Sequence, residues 1–423
     1  AGARALGARS VLPDLAFLAL IAAAAVAALD AIGALLATAM LVAPAATARL
    51  VCHRLGRWQA ATAGLAFAQG VVGLGLSVEL NAPPGATIAV VGGVVFALVA
   101  LGRGLARRPR GATALAAGLL ALVGAGCGSA TGAGRPGAIQ VVATTTQLGD
   151  IVREVGGRSV QVTQILRPNT DPHDYEPRPQ DVAATAHAAV VVVSGDDLDT
   201  WMDEVIANAG GDPTVVDAGQ GRPDTLPGKT GGPEASRSDP HWWHDPTNVE
   251  YAVHRIRAAL VRAKPSARSD VEAAAGAYER KVRALDTGVQ TCLAAVPAAD
   301  RKLVTDHDAF GYFAKRYGIT VVGAVIPAQT TQAQPSAGEI AALGAVIRRE
   351  HVKAVFPESS ISPRLAEAIA RETGASAAHT LYGDTLGSEG SSGATYLSME
   401  EANADAMVRG FTDGRRGCSI SGI

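Results

Sequence analysis

The sequence predicts an α-helical membrane segment followed by a two-lobed α/β protein whose lobes are joined by one long helix. Three observations carry this. Residues up to about 101 are dominated by Ala, Leu, Val and Gly, with few charges. From residue 138 onward charges return, and short apolar runs alternate with helical patterns. Between two such blocks, Val271, Tyr278, Val282, Leu285, Val289 and Leu293 recur at helical spacing within residues 269–293. A chain of 423 residues suits two or three domains.

A membrane crossing needs about 20 apolar residues. Residues 15–46 carry no charge except Asp30, enough for two short crossings with a turn near Asp30. Residues 60–80 make another, and residues 86–101 a shorter one whose start lies nearer Pro84. Arg4 and Arg9 precede the first segment, Arg49, His53, Arg54 and Arg57 follow the second, and Arg103, Arg107, Arg108 and Arg110 follow the fourth. The loop after the third holds Glu79 and no Lys or Arg. Basic loops thus follow an even number of crossings, which places the N-terminus in the cytoplasm. The alternative, core helices of a large soluble protein, is weakened by four such segments lying so close together. The first methionine is Met40, so the sequence is expected to start inside a gene or to join pieces of two.

A basic run over residues 103–110 precedes "GATALAAGLLALVGAGC", an apolar stretch of about 15 residues ending in small ones, the layout of a secretory signal. The alternative is a fifth short helix ending in a buried Cys. Residues 128–137, "GSATGAGRPG", form a flexible tether.

In the soluble part, "IQVVATT", "VQVTQIL", "KLVTDH", "ITVVGAV" and "KAVFPE" read as strands, and "QLGDIVREVGG" as an amphipathic helix ending in Gly. The continuous run "AAVVVVSG" reads as a buried parallel strand. The net formal charge of −2 leaves no basic field for nucleic acid. Cys52, Cys127, Cys292 and Cys418 form no C-x-x-C pair, so a thiolate zinc site is not expected.

His173 follows a strand and a turn-prone Asn-Thr-Asp-Pro; His241 and His244 lie between Pro240 and Pro246; His307 ends a strand; Asp384 sits in a Gly-flanked loop. Such loops at the C-terminal ends of strands are where α/β proteins bind ligands. Taken singly, each His has an ordinary structural reading. The prolines predict an extended turn rather than a helix around His241 and His244, so that only one of the two faces a cleft.

The motifs "DPHDYEPRPQDV", "DPHWWHDP", "TDHDAFGYFAKRYG" and "LYGDTLG", in this order across residues 139–411, resemble the metal-receptor lipoproteins of zinc and manganese ABC importers. "AIGALLATAMLVAPAATARL" and "NAPPGATIAVVGGVVFALVAL" resemble the C-terminal part of the partner permeases. The resemblance implies a two-lobed solute-binding protein with a rigid linker helix. Its metal would be held by His173 and His241 from the first lobe and by His307 and Asp384 from the second. It places the ligand at the His after Asp-Pro, which is His241, leaving His244 beside Trp243; His244 and Glu358 are candidates for supporting the site from outside or for alternative metal ligands. It makes Cys127 the lipidated residue, although Gly124 departs from the lipoprotein pattern. It puts residues 44–57, with Pro44 and Arg49, near the segment that couples to a cytoplasmic ATPase; the alternative is a Pro kink with a basic cap. Because the permease's earlier helices are missing, this fragment is not expected to form a pore alone.

The implied boundaries are a partial permease at 1–105, a lipoprotein-type signal at 106–127, a tether at 128–138, an N-terminal lobe at 139–265, the linker helix at 266–296 and a C-terminal lobe at 297–423. Three imidazoles and one carboxylate suit Zn2+. Manganese relatives tend to carry a carboxylate where His307 stands, so Mn2+ is the second choice, with iron a further option in the same family. "GRPDTLPGKT" lacks the first Gly of a phosphate loop, so the ATPase is expected to be a separate chain. Cys292 and Cys418 are the only cysteines of the exported half beyond Cys127, and an oxidising compartment favours their pairing; two buried thiols are the alternative. The competing functions are a zinc hydrolase, with Glu358 or Asp308 as base, and a surface adhesin. A catalytic zinc keeps an open coordination position, which four protein ligands would fill.

Overall fold

The computed structural model describes residues 34–106, 137–229 and 236–423. The first expected crossing, the signal-like segment and Cys127 fall outside the described residues. The described chain separates into two compact units, one helical and one α/β.

The helical unit has α1 (Ala34–Val51), α2 (Leu55–Leu80) and α3 (Pro84–Ala106). Two stretches, Leu55–Leu80 and Pro84–Arg103, are long and apolar enough to cross a membrane. α1 runs through Pro44 to Val51, and the break comes at residues 52–54. A proline removes one backbone donor, a loss that packing against neighbouring helices makes tolerable, and the Thr47 hydroxyl donates to the Ala43 carbonyl at 2.7 Å. Arg49 lies in the last turn of α1, where its charge suits the carbonyl end of the helix. The buried Gln69 amide donates to Ala39 at 3.2 Å and to Ile88 at 3.0 Å, joining all three helices. At Gly73 a Cβ would lie 2.5 Å from Ile88, so α2 and α3 meet backbone to backbone.

The α/β unit opens with β1 (Ile139–Ala143), α4 (Thr146–Gly156), β2 (Val160–Gln164), α5 (Pro179–Ala186), β3 (Val190–Val193), α6 (Trp201–Ala209) and β4 (Thr214–Asp217). The strands form a parallel sheet in the order β2-β1-β3-β4. The all-valine β3 is interior and covered on both faces, which is why it reads as a run rather than an alternation. α7 (Pro246–Ala263) completes this lobe, and α8 (Arg268–Ala294) leaves it.

At 27 residues α8 is about 40 Å long. Its buried stripe includes all six apolar residues that predicted it. It packs on α4 and α7 of the first lobe and on the last helix, α12 (Tyr396–Phe411). One continuous core therefore runs from the first lobe through the linker into the second.

The second lobe holds β5 (Lys302–His307), α9 (Gly311–Tyr317), β6 (Thr320–Ile326), α10 (Ala337–Arg349) and α11 (Arg364–Thr373), with β5 and β6 parallel. The strand expected at "KAVFPE" is only a series of isolated parallel bridges, Ala354 to Ser376, Thr305 to Phe356 and Glu358 to Leu381. Pro357 has no N–H to donate, so a regular ladder cannot pass through it. The bridges still lay this segment along β5 and bring Glu358 beside His307.

Cys292, near the end of α8, and Cys418, in the C-terminal tail, are disulfide-bonded with Cα atoms 5.5 Å apart. The bond spans a sequence separation of 126 residues, and losing a native disulfide costs about 2–5 kcal/mol. Cys418→Ser is expected to lower the melting temperature of the oxidised protein. Thiol labelling of unreduced, denatured protein should leave both residues unmodified; labelling of both would show that the bond does not form in solution.

Candidate metal centre

Four segments converge between the lobes of the α/β unit. His173 lies in a short 3-10 turn, Pro172–Asp174, beyond β2; the Asp171 carboxylate accepts its backbone N–H at 2.9 Å. Asp239 does the same for the N–H of His241 at 3.0 Å. Both Asp-Pro-His sequences therefore make the same local turn, in which a short carboxylate fixes the backbone two residues on. His307 is the last residue of β5, and Asp384 follows Gly383 in the loop beyond the Leu381 bridge.

One donor atom from each of these four residues lies within 4.8 Å of all the others. Both His241 Nε2 and His307 Nε2 approach the Asp384 carboxylate at 3.3 Å, and His173 Nε2 lies 3.7 Å from it. The Nε2 atoms of His241 and His307 face each other at 3.3 Å. His241, His307 and Asp384 are fully buried, whereas the His173 side chain keeps 8 % exposure. His173 Nε2 and both Asp384 oxygens are buried without a hydrogen-bond partner. Unpartnered buried polar atoms are costly, so their convergence marks a place shaped for a cation.

Carboxylates behind the ring pair orient it. Asp239 lies 2.7 Å from His241 Nδ1, and Glu358 lies 2.9 Å from His307 Nδ1. Glu358 also accepts the His307 backbone N–H at 3.0 Å. A carboxylate only accepts, so each Nδ1 carries a proton and each Nε2 faces the centre, where it offers a lone pair once its own proton has left.

The electrostatics follow. Burial pulls the His241 imidazole down, but Asp239 and Asp384 outweigh it and raise its pKa to about 9. Burial likewise opposes protonation of His307, yet Glu358 and Asp384 hold its pKa well above the ordinary 6.5. His173 lacks a carboxylate behind its ring; burial dominates and pushes its pKa down to about 3. Against burial, which favours the acid form, the imidazoles of His307, His173 and His241 hold the Asp384 carboxyl well below its usual range. The centre thus has one permanent anion, one neutral imidazole, and two imidazoles that keep protons until a stronger cation displaces them.

The other sequence-predicted residues lie elsewhere. His244 donates Nδ1 to Glu400 at 2.7 Å and stacks on Phe310 at 4.4 Å between ring centres, outside the four-residue group. Its segment is a 3-10 turn, Trp242–His244, not the extended chain expected. Asp245 caps α7 directly after it by accepting the Thr247 N–H, so the chain is already coiling at His244. Asp308 pairs with Lys229 at 3.1 Å near the surface, away from the donor atoms. Asp239 was not anticipated. The available signal was an Asp two residues before both Asp-Pro-linked histidines.

Residues 141–410 match the family described as zinc-uptake complex component A, periplasmic. The chain belongs to that family. Residues 1–103 match the ABC 3 transport family, so a permease-family region precedes the component A receptor. The chain is 32 % identical over 272 residues to the iron-binding protein YfeA of Yersinia pestis, covering 64 % of this chain and 86 % of that protein. It is 30 % identical over 298 residues to the manganese-binding lipoprotein MntA of Halalkalibacterium halodurans, covering 70 % and 96 %. The solved periplasmic zinc-binding protein TroA of Treponema pallidum superposes with a TM-score of 0.60 at 30 % identity, covering 65 % of this chain and 99 % of that one. Component A proteins are metal-binding receptors of ABC transporters with this two-lobed fold. The chain is accordingly a metal-transport receptor and not an enzyme, which removes the hydrolase alternative.

Proposed function

We propose that the α/β unit is an extracytoplasmic zinc receptor, anchored through a lipid on Cys127, that binds its ion through His173, His241, His307 and Asp384. It passes the ion to an ABC permease driven by a separate cytoplasmic ATPase, with residues 44–57 near the coupling surface. The supporting observation is the convergence of three imidazole nitrogens and one carboxylate within 4.8 Å. That donor set suits Zn2+. Manganese is the second reading: both Asp384 oxygens are free to coordinate, which would add the oxygen ligand that Mn2+ favours. Elemental analysis of the full chain, purified in detergent without added metal, should find one zinc per chain. Manganese or iron at that stoichiometry would reverse the choice of ion.

His307→Glu exchanges a nitrogen for a hard oxygen and adds a negative charge. The ratio of zinc to manganese affinity is expected to fall by about 10-fold or more. An unchanged ratio in competitive titration would remove His307 from the ligand set.

A further inference from the structure

Each lobe fastens a ligand loop of the other. First-lobe groups hold the Asp384 loop. The Asn169 N–H donates to Thr385 Oγ1 at 3.0 Å, Thr146 Oγ1 accepts the Leu386 N–H at 2.8 Å, and the Trp243 indole donates to the Gly383 carbonyl at 3.1 Å. The reverse contact comes from the loop after β6. There the Thr331 hydroxyl donates to Asp171 Oδ2, and the Gln332 side-chain amide donates to the His173 carbonyl.

The two fastenings differ in depth. Thr146, Thr385 and Trp243 are buried. Thr331 is half-buried and Gln332 exposed, and they bind the one ligand residue that reaches the surface. Asp171 divides its carboxylate, with Oδ1 on the His173 N–H and Oδ2 on Thr331. The turn that aims the first lobe's outermost ligand is therefore tied on both sides to the second lobe. Separation of the lobes has to break these surface bonds, and it withdraws His173 while Asp384 and His307 stay together on one lobe.

We infer that Thr331 and Gln332 are positioning residues forming a surface latch that holds His173 over the ion and sets how fast the ion leaves. The latch rests on the four-ligand reading proposed above. Substitutions at this exposed loop leave the core intact, so they test the latch without unfolding the protein.

The test is stopped-flow release of Zn2+ from the purified full chain into excess chelator. Thr331→Val with Gln332→Ala is expected to speed release about 10-fold, the lower end of what losing groups behind a ligand costs, with little change in the association rate. Thr331→Ser, which restores the hydroxyl, should recover most of the Thr331→Val effect. In a His173→Ala background the same double substitution should change nothing, because the ligand it positions is gone. Unchanged release in the double variant, or equal acceleration with and without His173, would overturn the latch. Wild-type protein that binds no zinc, or His173→Ala that binds it normally, would overturn the ligand assignment instead.

Discussion

Replacing His241 with Ala is expected to lower metal affinity by about 100-fold or more, while His244→Ala should leave affinity within a few-fold of wild type. The two histidines are three residues apart and both fully buried, so neither exposure nor position in sequence separates them. Their partners do. His241 turns Nε2 toward Asp384 and His307 and is held from behind by Asp239. Its loss removes one of four donors, more than the ~10–100-fold that follows loss of a group outside the coordination shell. His244 instead closes a buried contact with Glu400 on α12. Removing it strands a carboxylate that is 1 % exposed, at a cost of about 3–5 kcal/mol. The expected signature of His244→Ala is therefore a lowered melting temperature with near-normal zinc titration, and of His241→Ala the converse. Weak binding by a well-folded His244→Ala protein would reverse the assignment.

Much of this was legible in the residues, for identifiable reasons. The linker helix is a local pattern: every apolar residue from Val271 to Leu293 that set the period is buried in the structure. β3 is legible because four valines in a row have no polar face to show. The four candidate ligands were legible only as an ordered set of motifs, since no single His differs from an ordinary buried one. What was not legible depends on pairing at a distance. Glu358 was readable as a supporting residue, but its partner was not: it stands 51 residues from His307 and meets it only because bridges align its segment with β5. The same segment was expected to be a strand, and Pro357 breaks it into bridges. At Pro44 two readings stayed open in the sequence, and the local structure is that of the alternative, a proline within a helix that ends in a basic cap: α1 continues through Pro44, with Arg49 in its last turn. Asp239 was hidden because an Asp before Pro reads as a turn former, and here it both makes the turn and orients the ring of the histidine that follows.

The apparent zinc affinity is expected to climb steeply with pH, by about 10-fold per unit for each proton released, and to climb less steeply above about 9, where His241 has lost its proton. The sign follows from the metal-free centre. His241, raised to about 9, and His307, also raised, carry protons at neutral pH because Asp239, Glu358 and Asp384 surround them. An imidazolium has no lone pair to give, so the ion must displace those protons, and acid favours the metal-free form. His173, already neutral above its pKa of about 3, adds nothing to this dependence. About two protons should therefore be released per zinc near neutral pH. The same raised value means that protonated His241 stabilises the metal-free fold fully below pH 6.5, a contribution lost as pH rises toward 9. Alkali thus weakens the empty receptor while strengthening its grip on metal. Competitive titration at several pH values, with calorimetry in buffers of different ionisation enthalpy to count protons, measures both effects. An affinity that stays flat from about pH 7.5 to 5.5, across the range where an ordinary imidazole titrates, would show that these histidines do not bind the ion.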